Sequence, residues 1–217
     1  GSNAIRYLHS AYTEFLASHG YVVVAADHTG NTVFDLIAGG GTDADRQRIA
    51  FDRPNDVRRL IDAFTDPADP TAGTVAASVD AEHVAVTGHS LGGYTSIAIA
   101  TGVTTDVGEV LPDDRVDAII TLAPAVGDAL LTDERLGELD IPMMVIVGTD
   151  DTTTPVDPNV TRLWARTTSS PAYRVELVHG EHQTFTDFCS YQEAVPTLPA
   201  VPQVVVDLID DYAVAGG

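Results

Sequence analysis

Short apolar runs rich in β-branched residues recur along this chain with helix-patterned stretches between them. That alternation restricts the fold more than anything else in the sequence. Residues 21–26 (YVVVAA) and 143–147 (MMVIV) are continuously apolar, as strands buried on both faces are, and residues 83–87, 118–122 and 173–178 complete the expected strands. Helices are expected over residues 10–19, stopped by Gly20 in a left-handed cap, and over 54–64, where Val57, Leu60, Ile61 and Phe64 repeat at helical spacing behind Pro54. Further helices are expected over 91–101, around 162–166 and at 203–212, while residues 27–42 read as loop. Strands alternating with helices predict an α/β domain: a mostly parallel sheet with helices on both faces and ligands bound at the carboxyl ends of the strands. At 217 residues the chain fits one such domain, spanning 1–217.

Charge removes several classes of partner. Asp and Glu number 32 against 11 basic residues, all Arg, for a formal net charge of -21. Such a surface repels nucleic acid and anionic membranes. It keeps the chain solvated, and it is also a surface that a high-salt environment would screen. No apolar run is long enough to span a bilayer. The single cysteine, Cys189, leaves no intrachain disulfide to form and is expected as a small buried hydrophobe. Residues 1–4 (GSNA) read as a tag scar or as native loop, and with no secretory signal in view the localisation stays open.

One turn between strand and helix carries chemistry. In residues 84–94 (VAVTGHSLGGY) Ser90 stands between Gly88 and Gly92 where an apolar strand gives way directly to a helix. A turn that sharp holds its central residue in strained geometry, and the glycines remove side chains that would collide with the neighbouring strand and helix. Gly93 lets the helix pack close. Ser90 is then the candidate nucleophile, and the backbone N–H of Leu91, at the helix N-terminus, is one half of an oxyanion site.

A serine hydroxyl needs a base. His9, His19 and His83 lie outside loops that follow strands, His89 is the variable position of the turn, and His28 precedes the serine. His179 and His182 follow the last strand; His182 lies past Gly180, where a loop can reach back over the strand ends, whereas His179 continues the strand. His182 is therefore the expected base. The acid that orients it should leave the 143–147 strand, where Asp150 and Asp151 are adjacent and must point differently; Asp151 is the expected partner and Asp150 a turn residue. Neither calcium-loop nor zinc-ligand spacing is present, so neither metal nor cofactor is expected.

The turn of residues 88–93, the acid loop and the histidine loop together resemble the α/β-hydrolase superfamily. The likeness is nearest to dienelactone-hydrolase-like serine esterases related to type II platelet-activating-factor acetylhydrolases. Residues 16–24, 27–32, 52–57 (DRPNDV) and 182–188 (HQTFTDF) add to it, and the spacing from Asp151 to Pro155 resembles cutinase-type polyester hydrolases. The resemblance implies the chain order Ser90, Asp151, His182, a serine where dienelactone hydrolases carry cysteine, and strands ahead of residue 10 that are missing here. It leaves the second oxyanion donor open: a residue near Ser2 or Asn3 if residues 1–4 are native. A partner chain or fragment would then supply the missing strands.

Only about twenty residues, 123–142, link the third and fourth expected strands, so no large cap fits and the site should be open. Residues 122–126 should form an apolar wall, with Tyr94 and Trp164 in the core or flanking it. The expected activity is cleavage of short-chain or extended carboxylic esters, small or polymeric, through an acyl-enzyme on Ser90. The alternatives are a non-catalytic binding module with an incomplete oxyanion hole, and an acyltransferase.

Overall fold

In the computed structural model of the chain, residues 1–127, 130–188 and 190 are described. The helix expected at 203–212, and Cys189, lie outside the described residues. In chain order the elements are α1 (Ser10–Ser18), α2 (Val33–Ile37), α3 (Arg46–Thr65), β1 (Val84–His89), α4 (Leu91–Thr101), β2 (Val103–Thr104), β3 (Glu109–Val110), β4 (Val116–Leu122), α5 (Asp133–Gly137), β5 (Met143–Gly148), α6 (Val156–Arg166) and β6 (Ala172–Leu177).

Four of the strands form one parallel sheet in the order β1-β4-β5-β6, and β2 pairs with β3 in a separate antiparallel hairpin that the sequence reading had not anticipated. The register places Val86 beside Ile119, and Ile119 beside Met143. These residues, with Val145 and Val147, join Ile97, Ile99, Leu136 and Leu163 from α4, α5 and α6 in the buried core. On the opposite face Ala118, Ile120, Met144 and Ile146 are only half-buried and Tyr173 and Val175 are exposed, so among the described residues the sheet is packed mainly on one side. The architecture is thus mixed α/β around a parallel sheet. No helix of the described residues is long and apolar enough to cross a membrane.

Three expectations need correction. Residues 21–26 form no strand: Tyr21 is 63% exposed, Val22 39% and Val24 37%. An apolar β-branched run reports an appetite for burial, but a ladder also needs a neighbouring strand to exchange N–H and C=O groups with it. Immediately before it the chain behaves as expected. α1 ends in a Schellman cap, with Gly20 at φ +93°, Gly20 N–H donating to the Ala17 carbonyl (3.0 Å) and Tyr21 N–H to Leu16 (3.3 Å).

The second correction concerns α3, which begins at Arg46 rather than at Pro54, so the proline sits mid-helix. A mid-helix proline has no N–H for the carbonyl four residues back. Here that carbonyl belongs to Ala50, and the buried Tyr94 hydroxyl donates to it at 3.0 Å. A side chain on α4 thus supplies the donor that the proline lacks. Third, the expected loop 27–42 contains α2, started by a reciprocal capping box between Thr32 and Asp35.

Candidate active site

Everything expected at the site lies at the carboxyl ends of the sheet strands. β1 runs into α4 with no intervening loop, and Ser90 at the junction has φ 56° and ψ -118°, a conformation costly for any residue with a Cβ. Neighbouring backbone holds it there: Ser90 N–H donates to the Leu122 carbonyl (2.9 Å), and Ala125 N–H donates to the Ser90 carbonyl (3.0 Å). A Cβ on Gly88 would overlap the Gly92 carbonyl group, and one on Gly93 would stand 2.6 Å from Pro124 Cβ. Gly92 itself meets nothing closer than 3.9 Å, so its smallness is not demanded by a clash as expected; what matters is the approach of its backbone to Gly88. Leu91 is the first residue of α4, and its N–H is among those that a helix leaves without an internal acceptor. Within residues 122–126, Leu122, Ala123 and Val126 are buried.

The acid and base come together as expected. His182, in the loop after β6, donates Nδ1–H to Asp151 Oδ2 at 2.8 Å; the aspartate side chain is 0% exposed and the imidazole 8%. Because Nδ1 carries the proton, Nε2 is left with a free lone pair, the form a general base requires. Asp151 is filled on both oxygens. Oδ1 accepts the N–H groups of Thr153 and Thr154 at 2.8 Å each, and Oδ2 has Thr154 Oγ1 at 2.9 Å beside the imidazole. Burial pushes this carboxyl up, but the hydrogen bonds from His182 and Thr154 outweigh it and hold it below the ordinary aspartate value. It stays ionised against the ring.

Asp150 and His179 pair with each other instead, at 3.0 Å on the exposed surface. Two consecutive carboxylates thus serve two histidines, one pair buried and one solvated. His28 is held by Asp56 at 3.0 Å. His89 turns its Nε2–H to the His182 carbonyl (2.9 Å) and lies against that ring with centroids 4.5 Å apart and planes tilted by 44°, so the residue before the nucleophile packs on the base.

Ser90 and His182 share this rim, but no hydrogen bond joins Oγ to Nε2. Nucleophile–base hydrogen bonds are commonly long without substrate and tighten only when it binds. A depression of about 430 Å³ bounded by Thr132, Asp133, Pro158, Arg162 and Arg166 includes no residue of this constellation. Thr154 was missed by the sequence reading. Its hydroxyl, 3.0 Å from the Ala123 carbonyl and 3.1 Å from His182 Nδ1, ties the β4 loop to the acid and the base, and its only signal was its place three residues after Asp151. Comparison with protein-family models gives no match, and comparison with curated proteins gives none either.

Proposed function

We propose that the chain is a serine hydrolase of carboxylic esters built on an α/β-hydrolase fold, with Ser90 as nucleophile, His182 as base and Asp151 as the acid that orients it. The observation carrying this reading is the buried Asp151–His182 hydrogen bond on the strand rim that also carries Ser90 in its strained turn. Strand–turn–helix geometry at the serine and the order Ser90, Asp151, His182 support it.

In the reaction, Ser90 Oγ attacks the ester carbonyl as its proton passes to His182 Nε2, and the charge on the carbonyl oxygen is stabilised by Leu91 N–H. The C–O bond to the alcohol then breaks, the alcohol leaving with the proton from Nε2. Water repeats the sequence on the acyl-enzyme and releases the acid. Asp151 keeps the ring in the productive tautomer and offsets its positive charge. Among the described residues, the connection between β4 and β5 carries the short helix α5 and no other helix, which favours short-chain or extended esters that need no lid.

The missing Oγ–Nε2 hydrogen bond, with Leu91 N–H the single oxyanion donor assigned, favours a non-catalytic binding module. A fluorophosphonate probe separates the two readings. Covalent labelling of the wild-type protein, lost in Ser90→Ala together with hydrolysis of a short-chain nitrophenyl ester, is the expected result. An unlabelled wild-type protein would leave the binding module standing.

A further inference from the structure

Arg53 is 3% exposed, on α3, and has no carboxylate among its hydrogen-bond partners. Nε donates to Thr95 Oγ1 on α4 at 3.0 Å, while Nη1 donates to Asn31 Oδ1 at 2.8 Å and to the Gly1 carbonyl at 3.2 Å. The nearby carboxylate, Asp56, is engaged by His28 and Arg59. An unpaired buried guanidinium is a costly component, and burial pushes its pKa down to about 10. Its neighbours indicate its use.

Asn31, 2% exposed, relays the contact: its Nδ2 donates to Ser2 Oγ at 3.3 Å and to Asn3 Oδ1 at 3.0 Å. Asn3 sits at φ 49°, and its own amide reaches the Gly41 carbonyl at 3.5 Å. The short segment 1–3 is thereby pinned at several points, and it lies against the nucleophile. A Cβ on Gly1 would stand 3.8 Å from Ser90 Cβ and 3.7 Å from His89 Nδ1. Arg53 also lies beneath the start of α4, with Nη2 3.9 Å from the place of a Gly92 Cβ. One guanidinium therefore links segment 1–3 to the first turns of α4, the two stretches of chain next to Ser90.

We propose that Arg53 is a positioning residue which, through Asn31, holds residues 1–3 at a fixed distance from the α4 N-terminus and so sets the width of the oxyanion site. This rests on the esterase reading. Neither side chain touches substrate; both act through backbone they hold, and their effect falls on the transition state rather than on ester binding.

The test uses Asn31→Ala, Arg53→Met and Arg53→Lys with a nitrophenyl ester, a trifluoromethyl ketone that forms a tetrahedral adduct on serine, and urea midpoints. Removing an oxyanion donor costs on the order of 100- to 1,000-fold, so a displaced wall should lower kcat by about tenfold or more. The ketone's inhibition constant should rise by the same factor while KM is little changed. Arg53→Lys keeps the charge but not the fork, and should remain impaired. Full activity in the lysine variant, or a fall in kcat with ketone affinity unmoved, overturns the proposal. If Arg53→Met does not fold, Asn31→Ala decides by the same two readouts. An inactive wild-type protein defeats the esterase reading and this proposal together; an active one with unaffected variants defeats this proposal alone.

Discussion

Tyr94→Phe removes a single oxygen, the donor that α4 lends to α3. The Ala50 carbonyl it serves is the one Pro54 leaves without a helical partner, and the hydroxyl is buried with its residue only 1% exposed. Orphaning a buried carbonyl costs about 1–3 kcal/mol, against a net value of about 0.5–1.5 kcal/mol for a hydrogen bond whose loss orphans nothing. In a Pro54→Ala background the new N–H at position 54 can reach the same carbonyl, so Tyr94→Phe should fall to the smaller figure. A double-mutant cycle read by urea denaturation should therefore show a coupling of about 1 kcal/mol between residues 54 and 94, on different helices. At about 2–4 °C per kcal/mol for a domain of this size, thermal midpoints should show it too. Additivity within about 0.3 kcal/mol would refute the argument that the tyrosine stands in for the missing backbone donor.

Other expectations follow from the rim. Asp151→Asn should lower kcat on the order of a thousandfold or more by removing the acceptor that sets the tautomer of His182, whereas Asp150→Asn, whose carboxylate serves the exposed His179 and the Thr149 hydroxyl, should leave ester turnover near wild type; equal losses would contradict the assignment. Gly148→Ala would drive a Cβ into the Gly180 carbonyl, backbone against backbone, so it should lower stability by about 1–3 kcal/mol or more in a urea titration; an unchanged midpoint would show the approach to be looser than described. His9, His28 and His89 all have pKa values below the ordinary 6.5, chiefly through burial. The unfolded chain then binds more protons than the folded one below pH 6.5, so stability should be greatest above that pH and decline as pH falls toward the lower folded values. Urea midpoints equal at pH 8 and pH 5 would remove that linkage.

The strands of the sheet were legible because Val86, Ile119, Met143 and Val145 are apolar and truly buried, so composition and environment agree. Residues 21–26 have the same composition without a pairing partner among the described residues, and pairing is a property of the neighbour, not of the run. The start of α3 was hidden for a similar reason: Pro54 looks like a first-turn residue unless the Tyr94 hydroxyl is known to reach the Ala50 carbonyl. Candidate site residues with distinctive chemistry and a place just after a strand could be selected from spacing. Thr154, Asn31 and Arg53 could not. Their roles lie in contacts across the fold: Arg53 on α3 meets Thr95 on α4 and the carbonyl of Gly1.

The close approach of Gly148 to Gly180, with Asp150 N–H donating to the Gly180 carbonyl at 3.0 Å and Thr149 N–H to Leu177 at 3.0 Å, fuses the two loops bearing Asp151 and His182 into one mechanical unit. Carboxylate and imidazole are thus held as one pair, and the His89 contact to the His182 carbonyl ties that pair in turn to the residue before Ser90. Under the proposed esterase reading, the tautomer of His182 is then set by backbone joined on the far side of the imidazole, ahead of any substrate.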